Sequence, residues 1–367
     1  MPEKSILGKF LKNIIRKFFA LPENRNGIPA YPSEILIVRQ HNQFGDMLAS
    51  ASLFRAFKEK NPKCSITLIT SPSNYYAVKK NKLIDKNFIF NKKRLINPVY
   101  FYSLMKLLKK NYDLVVVPST VSISFTSNFL ARLSNSKVKI GPKSLNGKEN
   151  EYSFLFDKPV NLDWRICPDA HVADFGLEVV RPFSFSTKNF VSEISFDGYD
   201  KREADIFIAS LKKGKRELLI GLHIGAGKPP NRWSLVKFAK LISRIREQYE
   251  VKFYITGSSS DKEEISFIKK HLEFEVGFCI NKEIPVLAAV IDKSDLFITN
   301  DTGVMHVAGA TKTPQISLFG PTNPYNWAPV GPSKYFLRKS ELIDDISVDD
   351  VFELCKFLLP KNRRKND

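Results

Sequence analysis

The sequence predicts an α/β protein built from two doubly wound parallel sheets in tandem, and three observations carry that expectation. Short, almost continuously apolar runs such as EILIV and DLFI alternate with segments of helical periodicity, and the whole alternation occurs twice. At 367 residues the chain exceeds what a single hydrophobic core usually organises. Between the two series, from about 146 to 200, periodicity weakens and Pro159, Pro168 and Pro182 punctuate the chain, as expected of a linker with surface loops.

In the first series, strands are expected at EILIVRQ, SITLIT, NFIF, DLVVVPS and VKIG. Helices are expected between them at about 46–60, near Tyr75, at 99–110 and at 125–133. A further helix is expected around 170–180. The second series places strands at ELLIGLHIG, VKFYITG, VGFCI, DLFITN and QISLFG. Its helices fall at about 235–248, 261–271 and 285–291, with one containing His306 and a closing one at SVDDVFELCKFLL. The tail KNRRKND reads as disordered. Three segments follow: 1–33, an N-terminal helix and linker; 34–185, the first sheet domain; and 186–367, the second. Ligands of such sheets bind beyond the carboxyl ends of the strands, so a cleft between those ends is expected.

Charge narrows the partners. The chain carries 57 Lys and Arg against 38 Asp and Glu, a formal +19 that draws it to something anionic. In KSILGKFLKNIIRKFFA the apolar Ile6, Leu7, Phe10, Leu11, Ile14, Ile15, Phe18 and Phe19 recur every three to four positions, with Lys4, Lys9, Lys12, Arg16 and Lys17 between them. That pattern suits a basic amphipathic helix lying on a membrane surface, and equally a helix packed on the protein body. Nucleic acid ranks last among the anionic partners, because aromatic-basic signatures and repeats are missing. Cys64, Cys167, Cys279 and Cys355 are widely spaced, which argues against a metal site or a disulfide framework and suits a reducing cytoplasm. Neither a bilayer-spanning run nor the pattern of a secretory signal is present.

Three stretches carry candidate chemistry. In RQHNQFGDML, Gly45 allows a turn and Asp46 opens a helix, where its carboxylate can take a proton or simply cap the helix. In LHIGAGKPPNRWS, Gly225 and Gly227 bring backbone amides near a ligand while Lys228 and Arg232 add charge; a surface loop with solvated cations explains it as well. Trp233 can stack on a ring or fill the core. In TNDTGVMHVAGA, Asp301, Thr302 and Gly303 open a helix beside a buried strand, with His306 one turn on. Asp301 or Thr302 would serve as its N-cap, while the helix start can also hold phosphate. FGPTNP then brings Thr322 to the same rim. The chain has no D-x-D pair to hold a divalent ion, no G-x-S-x-G elbow, and no metal-ligand spacing among its five His. Neither metal nor cofactor is expected.

Together, FGDMLASASLFRAFKEKNP, LHIGAGKPPNRWSLVKFAKLI and FITNDTGVMHVAGATKTPQISLFGPTNP resemble family 9 glycosyltransferases, the group of the lipopolysaccharide heptosyltransferases. The resemblance runs from about Ile35 to Gly331. It implies a GT-B fold, with two Rossmann-like domains facing each other across a cleft, an N-terminal acceptor domain and a C-terminal donor domain, and metal-independent, inverting transfer. By the same resemblance Asp46 is the catalytic base. An ADP-heptose donor would meet Thr302 and Gly303 with its diphosphate and Asp301 with its sugar. Lys228 or Arg232 would contact the donor phosphate, because the place usually basic in the second motif is Asn231 here. Asp261 would approach the ribose or cap its helix, and His306 would touch the donor or shape the loop. The acceptor would be an anionic lipid-linked saccharide at the cytoplasmic face of the inner membrane, reached through the basic N-terminal helix. Alternatives within the class are another nucleotide-sugar donor or another acceptor. An alternative outside it is a nucleotide-binding scaffold without activity, motivated by Asn231.

Overall fold

A computed structural model describes residues 6–21, 27–40, 44–212, 214, 217–360 and 363, with side chains from Lys12 onward. Apart from Arg363, the basic tail lies outside the described residues, as do Lys4 and His41 to Gln43. The chain divides into two compact units, one of Met1–Tyr75 with Lys82–Phe190, the other of Tyr76–Asn81 with Val191–Asp367.

The first unit opens with helix α1 (Ile6–Phe19), then strand β1 (Glu34–Arg39), helices α2 (Phe44–Ala49) and α3 (Ala51–Lys60), β2 (Ser65–Thr70), α4 (Pro72–Val78) and β3 (Lys86–Ile89). It continues with α5 (Pro98–Leu108), β4 (Tyr112–Val116), α6 (Phe125–Leu133), β5 (Ser136–Leu145), β6 (Lys148–Glu149), β7 (Lys158–Leu162) and α7 (Val172–Phe175). The sheet order is β3-β2-β1-β4-β5-β6, with β7 also paired to β5. From β3 to β5 every pairing is parallel. Strands β1, β2 and β4 are covered on both faces, which is why they read as unbroken apolar runs.

Three local departures from the sequence reading have physical causes. The helix expected at 46–60 breaks at Ser50, whose hydroxyl donates back to the Asp46 carbonyl at 2.8 Å. The segment read as linker contains β7, a short half-exposed strand parallel to β5. Its Pro159 has no amide to donate, which the edge position tolerates. The helix expected at 170–180 is helical only over Val172–Phe175 before giving way to turns.

Helix α1 rests on its own unit. Phe19 meets the edge of Phe129 at 5.2 Å, Arg132 Nε donates to the Phe19 carbonyl at 2.6 Å, and Lys12 pairs with Glu151 at 3.7 Å. Phe18 nevertheless stays 70% exposed and Ile14 38%.

The second unit holds α8 (Gly198–Leu211), β8 (Leu218–His223), α9 (Leu235–Gln248), β9 (Val251–Gly257), α10 (Lys262–His271), β10 (Gly277–Ile280) and α11 (Ile284–Ile291). It ends with β11 (Leu296–Asn300), α12 (Gly303–Gly309), β12 (Gln315–Leu318), α13 (Pro324–Trp327), β13 (Lys334–Leu337) and α14 (Val348–Leu358). Its sheet is parallel throughout, in the order β10-β9-β8-β11-β12-β13. Helix α8 is an element the periodicity does not announce: of its residues only Asp200 and Ala204 are buried, and its start is fixed by an Asp197/Asp200 capping box. Trp233 belongs to the core, edge-on to Phe238 at 4.8 Å with its indole N–H donating to the Ile346 carbonyl at 2.9 Å. All four cysteines are free thiols, and only Cys167 is exposed.

One half-buried cation fixes the end of α12. Lys334 Nζ donates to the carbonyls of Ala308, Thr311 and Thr313 at 2.9, 2.9 and 2.6 Å. Ala308 lies in the last turn of α12 and Thr311 and Thr313 just beyond it, where carbonyls lack helical partners. Lys334→Met is expected to remove all three bonds, with the Ala308 carbonyl still accepting from the Thr311 hydroxyl, and to lower unfolding stability by about 1–3 kcal/mol. Denaturant unfolding checks this, and wild-type stability would contradict it.

Candidate active-site residues at the sheet switch points

In each sheet the chain leaves two adjacent parallel strands in opposite directions, opening a crevice at their carboxyl ends. In the first unit those strands are β1 and β4, and the sequence has polar groups at that point. Arg39 ends β1, Asp46 lies in the first turn of α2, and Thr120 follows β4 by four residues. All three are buried. Thr120 Oγ1 donates to Asp46 Oδ2 at 3.0 Å, and Arg39 Nη2 lies 3.5 Å from the same oxygen and 3.2 Å from Thr120 Oγ1. The carboxylate is therefore oriented by two groups. Burial presses the Arg39 guanidinium below its ordinary value, and the charge of Asp46 opposes that. The Thr120 segment is itself fixed, because Trp164 Nε1 donates to the Thr120 carbonyl at 2.6 Å and its ring stacks on Phe175. Directly after it opens a cavity of about 590 Å³ lined by Val121, Ile123, Phe125, Lys148 and Tyr152.

In the second unit the strands are β8 and β11. Asn300, fully buried at the end of β11, donates to the carbonyls of Ile224 and Gly225 at 2.9 and 3.2 Å and accepts from the Trp233 amide at 3.2 Å. One side chain thus holds both ends of the loop after β8. A Cβ on Gly225 would stand 2.4 Å from Asp261 Oδ1, so glycine is what lets the loop close on that carboxylate. Asp261 forms a capping box with Ser258, accepting from its amide at 2.7 Å and its hydroxyl at 2.9 Å. Beneath it His223 is buried against Thr256, its Nδ1 3.0 Å from the hydroxyl. Burial pushes that imidazole down, and Asp261, Thr256 and Glu264 oppose the shift.

The two cations of the loop differ. Arg232 Nε donates to the Ala226 carbonyl at 2.8 Å and Nη1 pairs with Glu264 at 3.1 Å. Lys228 is exposed, makes no ion pair among the described residues, and its charge acts on Asp301. Asp301 is partly buried. Asn231 Nδ2 donates to its Oδ2 at 2.9 Å, and Thr322 hydrogen-bonds its side chain. Burial raises its carboxyl above the ordinary value, while Thr322 and Lys228 pull it back.

The N-cap reading of this stretch is corrected. Thr302 occupies the N-cap position of α12, yet its side chain makes no capping bond, and the Asp301 bonds above go elsewhere. Thr302 Oγ1 is buried with no hydrogen-bond partner among the described residues, the type of group that a ligand satisfies. Gly303 is exposed at the first position of α12, and half-buried His306 follows one turn later. Among the described residues no three His, Cys, Asp or Glu gather in a metal-binding group.

Sequence reasoning missed Thr120, Asn300, His223 and the role of Asn231. Asn300 and His223 each left a signal, a polar residue closing a fully buried strand, while Thr120 left none. Asn231 read as a lost cation, whereas it is a neutral donor to Asp301.

A pH test follows from Asp301. Its carboxyl is raised in the folded state, so the contribution of this group to stability is fullest below the usual carboxylate range and is lost as pH rises through the folded value. Removing the Asn231 donor penalises the charged form most, because a protonated carboxyl accepts the bond more weakly. Asn231→Ala is expected to cost about 1.5–3 kcal/mol at pH 8 and distinctly less as Asp301 becomes protonated. Chemical unfolding at several pH values measures this, and a pH-independent loss would contradict it.

Comparison with known proteins identifies the family. The family model for Glycosyltransferase family 9 (heptosyltransferase) matches residues 101–349. Lipopolysaccharide heptosyltransferase 3 from Escherichia coli is 26% identical over 306 residues, spanning 78% of this chain and 83% of that protein. Among solved structures, the family 9 glycosyl transferase of Veillonella parvula DSM 2008 aligns with a TM-score of 0.76 at 20% identity, covering 91% of this chain and 99% of that one. E. coli ADP-heptose LPS heptosyltransferase II aligns with a TM-score of 0.71 at 19% identity, covering 88% and 98%. The fold is thus GT-B, made of two Rossmann-like domains. With more than half of its length matched by the family model, the chain belongs to glycosyltransferase family 9 and is a heptosyltransferase-like glycosyltransferase.

Proposed function

We propose that the protein transfers heptose from ADP-heptose to a lipid-linked saccharide of the lipopolysaccharide inner core, with inversion and without a metal. One observation supports the donor half: Lys228 follows β8 and acts by its charge on Asp301, which follows β11 next to the unpartnered Thr302 hydroxyl. The names of the similar E. coli proteins supply the sugar and its acceptor class.

In this reading Asp46 accepts the proton of the acceptor hydroxyl while the oxygen of that hydroxyl bonds to the anomeric carbon. Arg39 and Thr120 keep the carboxylate aimed, and the acceptor saccharide lies along the cavity beside Phe125 and Tyr152. The nucleoside diphosphate leaves from the opposite face of the sugar. Negative charge grows on its phosphate in the transition state, so Lys228, the Thr302 hydroxyl and the amides of the α12 start, Gly303 first, stabilise it more than the ground state. Asp301 hydrogen-bonds the sugar, while Arg232 and His306 hold the shape of the loop. Asp261 keeps the Gly225 loop closed next to the ribose. The enzyme acts at the cytoplasmic face of the inner membrane, with α1 against the lipid; its exposed Ile14 and Phe18 beside Arg16 and Lys17 support that contact.

Asp46→Asn tests the chemistry with less damage than Asp46→Ala, since the amide oxygen can still accept from Thr120 beside the buried Arg39. The turnover rate is expected to fall by about a hundredfold to ten-thousandfold, with donor KM little changed and ADP-heptose preferred over UDP-sugars in wild-type donor assays. Retained turnover would remove Asp46 as the base, and preference for a UDP-sugar would remove the donor assignment.

A further inference from the structure

A second surface of the first unit has the chemistry of a membrane contact. Between Asp85 and Asp113 the sequence contains no acid, but it contains Lys86, Lys92, Lys93, Arg94, Lys106, Lys109 and Lys110. Of these, Lys110 pairs with Glu34 at 2.6 Å and Arg94 lies over the Tyr100 ring at 4.9 Å. The other five make no ion pair among the described residues. Amid these cations, Ile96 is 92% exposed, Val99 73% and Tyr102 68%.

This exposure is not the result of a loose segment. Asn97 caps α5 by accepting from the Tyr100 amide at 3.0 Å, and Pro98 starts the helix. Tyr100 Oη donates to the Ile89 carbonyl at 2.9 Å and accepts from the Asn91 amide at 2.7 Å, closing the turn that carries Ile96. Tyr100, Leu104 and Leu108 face inward. Helical spacing therefore puts Val99, Tyr102, Lys106 and Lys109 on the opposite, outer face. A rigid cluster of aliphatic and tyrosyl side chains ringed by cations marks a contact surface.

We infer that the α5 surface docks on an anionic lipid bilayer, with Ile96, Val99 and Tyr102 entering the headgroup layer and Lys92, Lys93, Lys106 and Lys109 meeting lipid phosphates. The charge pattern selects this occupant. A second copy of the chain would bring the same unpaired cations against each other, and a nucleic acid would leave Ile96 and Val99 without an apolar partner. A bilayer with acidic lipids satisfies both groups at once. Helices α5 and α6 share one core layer on one face of the sheet, and α1 packs on α6 through Phe19. The α5 contact thus extends the α1 contact proposed above and rests in part on that reading, but it involves different residues.

The test is cosedimentation of the full-length protein with phosphatidylcholine vesicles, with and without phosphatidylglycerol. Wild type is expected to bind only vesicles containing the acidic lipid. The triple variant Ile96→Ser, Val99→Ser, Tyr102→Ser is expected to bind them at least about tenfold more weakly, with unchanged melting temperature and unchanged transfer to a water-soluble acceptor. Replacing Lys92, Lys93 and Lys106 by Gln is expected to weaken binding and flatten its salt dependence. Phe18→Ser is measured separately, so that loss of the α1 contact is told apart from loss of the α5 contact. Unchanged vesicle binding by the triple variant overturns the inference. So does unchanged vesicle binding accompanied by loss of self-association or of oligonucleotide binding, which would assign the surface to a second copy or to nucleic acid.

Discussion

The reversal of strand order between the first and fourth strand of each sheet is the constraint on which the candidate chemistry depends. Where one strand sends its chain up one face and its neighbour sends its chain up the other, no helix covers the carboxyl ends between them. Polar side chains placed there are only partly answered by the sheet. In the first unit the group is Arg39, Asp46 and Thr120; in the second it is Asn300, Asp301 and Thr302. Both sets occupy the same topological position in a sheet of the same winding.

The two crevices are specialised by different electrostatics. A buried ion pair with a hydroxyl donor orients the carboxylate in the first, an arrangement suited to receiving a proton along one direction. In the second, an amide and a hydroxyl hold the raised Asp301 carboxyl while Lys228 keeps its charge toward solvent. Asn300 ties the loop after β8 to the end of β11, so Lys228 and Asp301 are referred to one rigid point. Lys334 does the same for the far end of α12. Such preorganisation is what lets a site stabilise charge that appears only in the transition state.

Much of the fold was legible because parallel strands buried on both faces leave continuous apolar runs; β1, β2, β4, β8 and β11 are such strands. β7 was hidden by Pro159 and by its half-exposed edge position, and α8 by its narrow buried stripe. Of the candidate site, motif stretches pointed to Asp46, Lys228, Arg232 and Asp301. Their partners could not be read, because Thr120 stands far from Asp46 in the chain and Asn231 far from Asp301. The capping reading of Thr302 failed for the same reason: sequence shows which residue precedes a helix, not where its hydroxyl points. On α5 the regular helical spacing concealed that the outer face is apolar and cationic at once.

The central claim is that the second crevice holds the donor diphosphate through Lys228 and Thr302, with Arg232 confined to the loop. A crystal structure of the protein with bound ADP tests it most directly. The account predicts phosphate oxygens within hydrogen-bonding distance of Lys228 Nζ and Thr302 Oγ1, with the Arg232–Glu264 pair intact. A diphosphate held by Arg232 after that pair breaks, or one seated away from the ends of β8 and β11, would contradict it.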